Sequence, residues 1–439
     1  MKNLAIIALL VITSISSCKN STKNCDDKQL TGPVKVELIN EGNEYLLLRN
    51  EKPYFIAGAG TEIDKIPILA ENGANSCRSW STVTDEYTAE EFLDLAHKYN
   101  LTVTMGLDVK KERLGFDYND SVAVKKQLEY LKGEVLKYKD HPALLIWGIG
   151  NELNLKYENP KVWNAVNDIA KMIHEVDPYH PTTTMLAGIK KYDVDLIQER
   201  CPDLDFLSIQ MYGDLPNLQQ RIKESGYEGP YIVTEWGATG HWEVARTSWD
   251  VPIEQTSKEK AESYTHRYKV AIEADSLHCL GSYVFYWGQK QERTPTWYGL
   301  FTEDDKPTET IDVMHYIWKN EWPENRAPQL DSVRLDGLSS YDNIKLQKSA
   351  EYSAEVFIHN YENDTITYHW EVMHESTDLG IGGDYESKPK TVEGLISNGN
   401  SNIIKLKTPG QPGAYRLFVY ATDDKDKVAT ANIPFYVNE

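Results

Sequence analysis

The sequence predicts an α/β fold: a (β/α)8 barrel of the TIM type followed by an immunoglobulin-like β-sandwich. Three observations lead there. Apolar strand-like runs alternate eight times with helical patterns, which means a parallel sheet covered by helices, and eight repeats within about 270 residues favour closure into a barrel. Helical periodicity then disappears near Pro323, and short strands separated by turn clusters take over. Finally, two of the barrel runs, Trp147-Gly148-Ile149-Gly150-Asn151-Glu152 and Ile232-Val233-Thr234-Glu235-Trp236-Gly237, each stop on a glutamate.

In chain order, residues 1–17 read as a signal peptide. Lys2 gives a short positive start, and Leu4 to Ile12 is an apolar run too short to span a bilayer. Ile15-Ser16-Ser17-Cys18 resembles the bacterial lipobox, which implies acylation at Cys18, a lipoprotein in the outer membrane and, through Asp26-Asp27, a faint surface-export signal. Residues 18–32 are polar enough for a tether. The barrel is expected over residues 33–324. Val34 to Ile39 and Tyr45 to Arg49 form a hairpin-like entry, and the strands are Tyr54–Ala59, Ser76–Ser79, Thr102–Leu107, Leu144–Gly148, Thr182–Leu186, Phe206–Met211, Tyr231–Thr234 and Ser282–Tyr286. Capping boxes open helices at Thr88 and Thr256, and Lys125–Lys137, Lys161–Val176 and Thr308–Trp318 are amphipathic. Residues 330–439 carry the strands of the sandwich, with turns at Gly380–Gly383, Asn398–Asn400 and Pro409–Gly413. Nothing in the sandwich points to chemistry: Trp370 is its one tryptophan and sits inside a strand, so a packing role is expected. Asp423 to Asp426 reads as a solvated turn.

Composition narrows the partners. A net charge of −21 argues against nucleic acid and against anionic membrane surfaces or polyanions, which need clustered Lys and Arg. Membrane association is expected through the lipid anchor only, and the chain is expected to be a monomer. Cys25, Cys77, Cys201 and Cys279 are spaced for neither a zinc site nor a disulfide framework, and Cys77 and Cys279 read as buried thiols. No metal or cofactor is implied. Gly148-Ile149-Gly150 begins like a dinucleotide fingerprint but has Leu153 where the third glycine belongs.

A carboxylate ending a buried run is costly to hold without partners, because lost hydration penalises its charge. Two such residues on one barrel rim are the pair that glycoside hydrolysis uses. The functional face of a barrel is where strands end. Those ends hold Glu62, Arg78, Trp80, Asp108, Asn151, Glu152, Tyr212, Glu235, Trp236 and Trp287. Trp242, Trp249 and Trp297 fall in the loops after strands seven and eight, where indoles can stack on pyranose rings. His241 suits a sugar contact or a loop-bracing hydrogen bond equally. Gln289, Glu292 and Arg293 extend the last loop toward sugar hydroxyls.

Over roughly residues 34–322 this constellation resembles the clan A glycoside hydrolases, which carry glutamates at the ends of strands four and seven. The matching motifs are Gly150-Asn151-Glu152-Leu153 and Thr234-Glu235-Trp236-Gly237. The resemblance implies that Glu152 is the general acid/base, with a raised pKa, and Glu235 the nucleophile, their carboxyls about 5–5.5 Å apart as in retaining enzymes. It implies that Asn151 holds the sugar 2-hydroxyl, that Arg78 and Tyr212 bond the nucleophile, and that Trp287 is the aromatic floor. Barrel, linker, sandwich and lipobox together are similar to bacterial endo-β-1,3-glucanases of glycoside hydrolase family 158, which implies laminarin as substrate. Trp80, Trp236, Trp242, Trp249, Trp287 and Trp297 around one mouth would suit a threaded chain. Two rival readings are an exo-acting enzyme like the family 2 β-galactosidases and β-mannosidases, and a glycan-binding lipoprotein without catalysis.

Overall fold

A computed structural model describes residues 31–42 and 44–439; the expected signal peptide, Cys18, Cys25 and all but the end of the expected tether lie outside the described residues. The predicted barrel is present. Its strands are β1 (Ile56–Thr61), β2 (Ser76–Arg78), β3 (Thr102–Leu107), β4 (Leu144–Asn151), β5 (Thr182–Ala187), β6 (Phe206–Gln210), β7 (Tyr231–Trp236) and β8 (Cys279–Trp287). Each is hydrogen-bonded to the next in parallel and β8 to β1, so the sheet is closed. The covering helices are α1 (Ile66–Glu71), α2 (Ala89–Lys98), α3 (Ser121–Tyr138), α4 (Lys161–Val176), α5 (Lys191–Arg200), α6 (Leu218–Ser225), α7 (Ser257–Arg267) and α8 (Glu309–Lys319).

Local chemistry starts these helices where the sequence says they start. Thr88 and Thr256 each accept from the backbone N–H three residues on, while Glu91 and Glu259 reach back to the cap N–H. Such a cap contributes on the order of 1 kcal/mol. Helix α4 presents Val162, Trp163, Val166, Ile169, Ala170 and Ile173 as one buried stripe against the sheet. At the opposite end from the glutamates, an antiparallel hairpin of Val36–Glu41 and Glu44–Arg49 closes the barrel, packing Val36 and Leu47 with Ile56, Phe206, Ile232 and Leu280.

The sandwich has two four-stranded sheets. One runs in the order β9 (Gln329–Leu335), β11 (Glu351–His359), β14 (Ile403–Lys407), β13 (Ile396–Ser397). The other runs β10 (Lys345–Gln347), β16 (Val428–Asn438), β15 (Gly413–Thr422), β12 (Thr367–His374). Trp370, Leu417, Val419, Ile433 and Phe435 fill the space between them, and Trp370 is a core residue as expected.

Barrel and sandwich share a buried polar seam. Glu254, in the loop before α7, accepts from Lys260 at 2.6 Å, Thr294 at 2.5 Å, Thr296 at 2.9 Å and Asn432 of the sandwich at 2.6 Å. These partners outweigh the cost of burial and hold its pKa below the usual carboxylate range. Beside it Arg416, 1% exposed, donates to Glu375 at 2.9 and 3.2 Å, to Asn432 at 2.7 Å and to the Pro252 carbonyl at 2.8 Å. Every partner of this guanidinium is a protein group, so deleting it strands a carboxylate and an amide in the interior. Arg416→Ala should therefore cost about 3–5 kcal/mol, read as a lowered urea midpoint; an unchanged midpoint would show that the seam is not holding the two parts together.

Candidate active site

At the C-terminal ends of the barrel strands lies a cavity of about 820 Å3. Glu235, at the end of β7 and 6% exposed, lines it. Oε1 accepts from Arg78 Nη1 at 2.8 Å and from Trp80 Nε1 at 2.8 Å, and Oε2 accepts from the Tyr212 hydroxyl at 2.9 Å. Arg78, 1% exposed, also donates to the Thr234 carbonyl at 2.8 Å and to Asn151 Oδ1 at 2.5 Å. A carboxyl group gripped by a cation and two neutral donors is fixed in direction. Gly60 makes room for this arrangement: the Trp80 ring fills the space a Cβ would need.

Glu152, the residue after β4, also faces the cavity. Its backbone is left-handed, with φ of +53°, and its N–H donates to the Met185 carbonyl at 2.9 Å. A non-glycine residue in that region is uncommon and is held by its surroundings. The ladders that carry the two glutamates are irregular at the same level, between Gly148 and Asn151 on β4 and between Val233 and Glu235 on β7. Bulges of this kind re-aim side chains at barrel rims. Loss of hydration, and then the charge of Glu235, push the Glu152 carboxyl up to about 7, against the opposing pull of Lys111, Arg78 and Arg113. The two carboxyl groups thus differ in environment: one is saturated with donors, the other is dehydrated.

Asn151 has its Oδ1 occupied twice, by Arg78 and by Gln210 Nε2 at 2.7 Å. Its one amide nitrogen, Nδ2, bonds neither of those residues, and the residue lines the cavity. Gln210 ends β6 and was missed at the sequence level, although a polar residue closing an apolar run is the signal that exposed Glu152 and Glu235. Tyr286, Phe285, Tyr298 and Lys111 also line the cavity and were not anticipated; Gln289 and Glu292 were.

The tryptophans divide. Trp80 and Trp242 line the cavity, Trp242 being 58% exposed and edge-on to Tyr212. Trp287 does not: it is fully buried on the outside of β8 between Phe301 and Trp318 of α8. The β8–β1 register shifts between Val284 and Trp287, so Phe285 and Tyr286 take the inner face and the expected floor residue is carried out. Trp236, fully buried, packs on Tyr264 and Tyr268 because its neighbour Glu235 takes the inward position. Trp297 is 1% exposed and donates to the Thr239 carbonyl at 2.9 Å. His241 stands edge-on between Trp242 and Trp297, 3.5 Å from Glu292, which makes it a brace for the loop. Trp249 lies against Tyr436 of the sandwich. Asp108 pairs with Lys110 and does not reach the cavity. Cys77, Cys201 and Cys279 are buried free thiols.

The sandwich, expected only to pack, supplies Gly382, Gly383 and Asp384 to the cavity wall. If the Glu152 carboxyl is lifted by dehydration and by its neighbour's charge, 13C-NMR should find it protonated below about pH 7. Glu235→Gln should lower that midpoint by removing the repulsion while leaving the burial. A midpoint that does not move would mean the two carboxyls do not sense each other.

The family described as glycosyl hydrolases family 2, TIM barrel domain, matches residues 65–320. Among solved structures, an FMN-binding beta-glucuronidase from Facaelibacterium prausnitzii L2-6 is similar at 15% identity over 92% of this chain and 59% of that one, with a TM-score of 0.50. A glycosyl hydrolase family 2 member from Bacteroides cellulosilyticus matches at 10% identity over 92% and 65%, TM-score 0.43, and an endo-1,4-beta-mannanase from Eisenia fetida at 12% over 64% and 95%, TM-score 0.42. The chain spans 59% and 65% of the length of the first two. At such identities the likeness concerns the fold. The family match covers more than half of the chain and runs through both glutamate-bearing strands. This chain accordingly belongs to the glycosyl hydrolases family 2 TIM-barrel family, and is a clan A glycoside hydrolase.

Proposed function

We propose that the chain is a retaining β-glycosidase that cleaves a neutral β-glucan, with β-1,3 linkages as in the family 158 endo-glucanases its architecture resembles. The observation that carries the reading is the contrast between Glu235, gripped by Arg78, Trp80 and Tyr212, and Glu152 across the same cavity, whose carboxyl dehydration and the charge of Glu235 push up to about 7. Glu235 attacks the anomeric carbon while Glu152 gives its proton to the glycosidic oxygen, and the leaving sugar departs. Glu152, now a carboxylate, takes a proton from water; the water displaces Glu235 and returns the β-anomer. The free amide edge of Asn151 bonds the sugar 2-hydroxyl, an interaction that strengthens as the ring flattens.

Charge supports a neutral substrate. Carboxylates lining the cavity outnumber ammonium groups nine to two, which repels polyanions. The cavity falls in the usual range of roughly 300–1,000 Å3 for small-ligand sites, room for more than one pyranose. Trp80 and Trp242 offer stacking faces. Exo-acting cleavage is the second reading, and it has its own support: two of the six expected tryptophans reach the cavity, and a sandwich loop stands at the mouth.

Laminarin digestion separates the two. An early ladder of oligosaccharides, with the first-formed anomer β by proton NMR, is the expected result. Monosaccharide alone from the start would establish the exo reading, initial α-anomer would remove the double displacement, and faster cleavage of mannan or galactan would remove the β-glucan.

The lipobox-like run ending at Cys18 supports export and lipid anchoring in the outer membrane, where such a polymer is met. Cys18→Ala should move the protein from the membrane to the soluble fraction of its host; retention in the membrane would rule the anchor out.

A further inference from the structure

Between β12 and β13 a loop leaves the sandwich and crosses to the barrel. Asp384 accepts both terminal nitrogens of Arg113, at 2.6 and 3.0 Å. Glu386, 2% exposed, accepts from the Arg293 N–H at 2.6 Å, from Arg293 Nη1 at 2.8 Å and from the Gly380 N–H at 2.8 Å. Lys290 donates to the Gly383 carbonyl at 2.9 Å. A bidentate pair and a buried carboxylate fix the loop against three barrel residues, far more than a spacer requires.

What the loop is fixed against is Glu152. Gly382 has φ of +60°, and a Cβ on it would lie 3.0 Å from Glu152 Oε2 and 2.6 Å from Leu155 Cδ2. Glycine backbone therefore comes closer to this carboxyl than a larger residue could. The oxygens of Glu235, by contrast, are taken on the cavity floor by Arg78, Trp80 and Tyr212. The loop also holds apolar side chains in solvent on either side of the wall residues Gly382 to Asp384: Tyr385 is 85% exposed and Ile381 43%.

We propose that this loop is the leaving-group subsite: Gly382, Gly383 and Asp384 form the wall, and Tyr385 the aromatic face, that receive the neutral sugar on the reducing side of the bond being cut. The inference rests on the roles given to Glu152 and Glu235 above, because proton donor and leaving group must meet at the glycosidic oxygen. The loop's backbone groups, the Asp384 carboxylate and the Lys290 ammonium supply donors and acceptors for sugar hydroxyls. The sandwich then sets which leaving group is accepted, while the barrel sets the sugar that is attacked.

The test compares full-length wild type with Gly382→Ala, Asp384→Ala and Tyr385→Ala on two substrates. Cleavage of laminaripentaose expels a sugar, whereas cleavage of 2,4-dinitrophenyl β-laminaribioside expels 2,4-dinitrophenolate, which needs neither a proton nor a sugar subsite. The ratio of kcat/KM for the first to that for the second should fall by about tenfold in Asp384→Ala and Tyr385→Ala. Partition of the glycosyl-enzyme toward added laminaribiose, relative to water, should fall alongside; a purely structural loop would not move that partition. Should Gly382→Ala fail to fold, Asp384→Ala and Tyr385→Ala decide. Ratio and partition unchanged in both would overturn the proposal alone. A wild type inert on both substrates would overturn the functional reading and this subsite with it.

Discussion

Arg78 is a guanidinium at the floor of a barrel, 1% exposed, and a cation so placed must satisfy its donors with protein groups. Its two terminal nitrogens do so with Glu235, the Thr234 carbonyl and Asn151, while Nε is left without a partner among the described residues. That single side chain joins β2 to β7 and to the end of β4, and so ties together the strand ends that carry the chemistry. The ion pair at 2.8 Å aims Glu235, and the second bond turns the Asn151 amide so that its donors are presented to the cavity. Trp80 and Tyr212 add bonds to Glu235, and Gln210 adds one to Asn151 Oδ1. Removing Arg78 would leave a carboxylate unpaired in the interior, the situation that costs most in a buried pair.

The asymmetry of the two glutamates follows from this. Three donors hydrogen-bond Glu235, and none of them hydrogen-bonds Glu152. Glu152 feels dehydration first and the charge of Glu235 second, and both favour its neutral form. Of two carboxyl groups with the same chemistry, one is bonded by three donors and the other is raised by its surroundings, the asymmetry that the proposed acid and nucleophile require.

The sandwich belongs to the site as well as to the fold. The seam of Glu254, Lys260, Arg416 and Asn432 sets its position against the barrel. Given that position, Arg113 and Arg293 can reach Asp384 and Glu386, and the loop between them closes part of the cavity wall. Interface packing far from the glutamates thereby shapes the space beside one of them.

The sequence by itself determined the architecture and the centre of the site. Eight alternations of apolar run and helix, two capping boxes and the loss of helical periodicity near Pro323 are local patterns, and each was legible without the fold. Glu152, Glu235, Asn151, Arg78, Tyr212 and Trp80 were legible because a polar residue ending an apolar strand has to be satisfied, and a barrel sends strand ends to one face. Which aromatics reach that face was decided by the tertiary structure. Strand alternation and a register shift on β8 send Trp236 and Trp287 outward and bring in Phe285 and Tyr286, and a one-residue slip changes a side chain's face without changing any sequence pattern. The sandwich loop was legible as the turn Gly380–Gly383, but its destination was not. Residues more than 200 positions from Glu152 come beside it through packing between two parts of the chain, and no local pattern encodes that meeting.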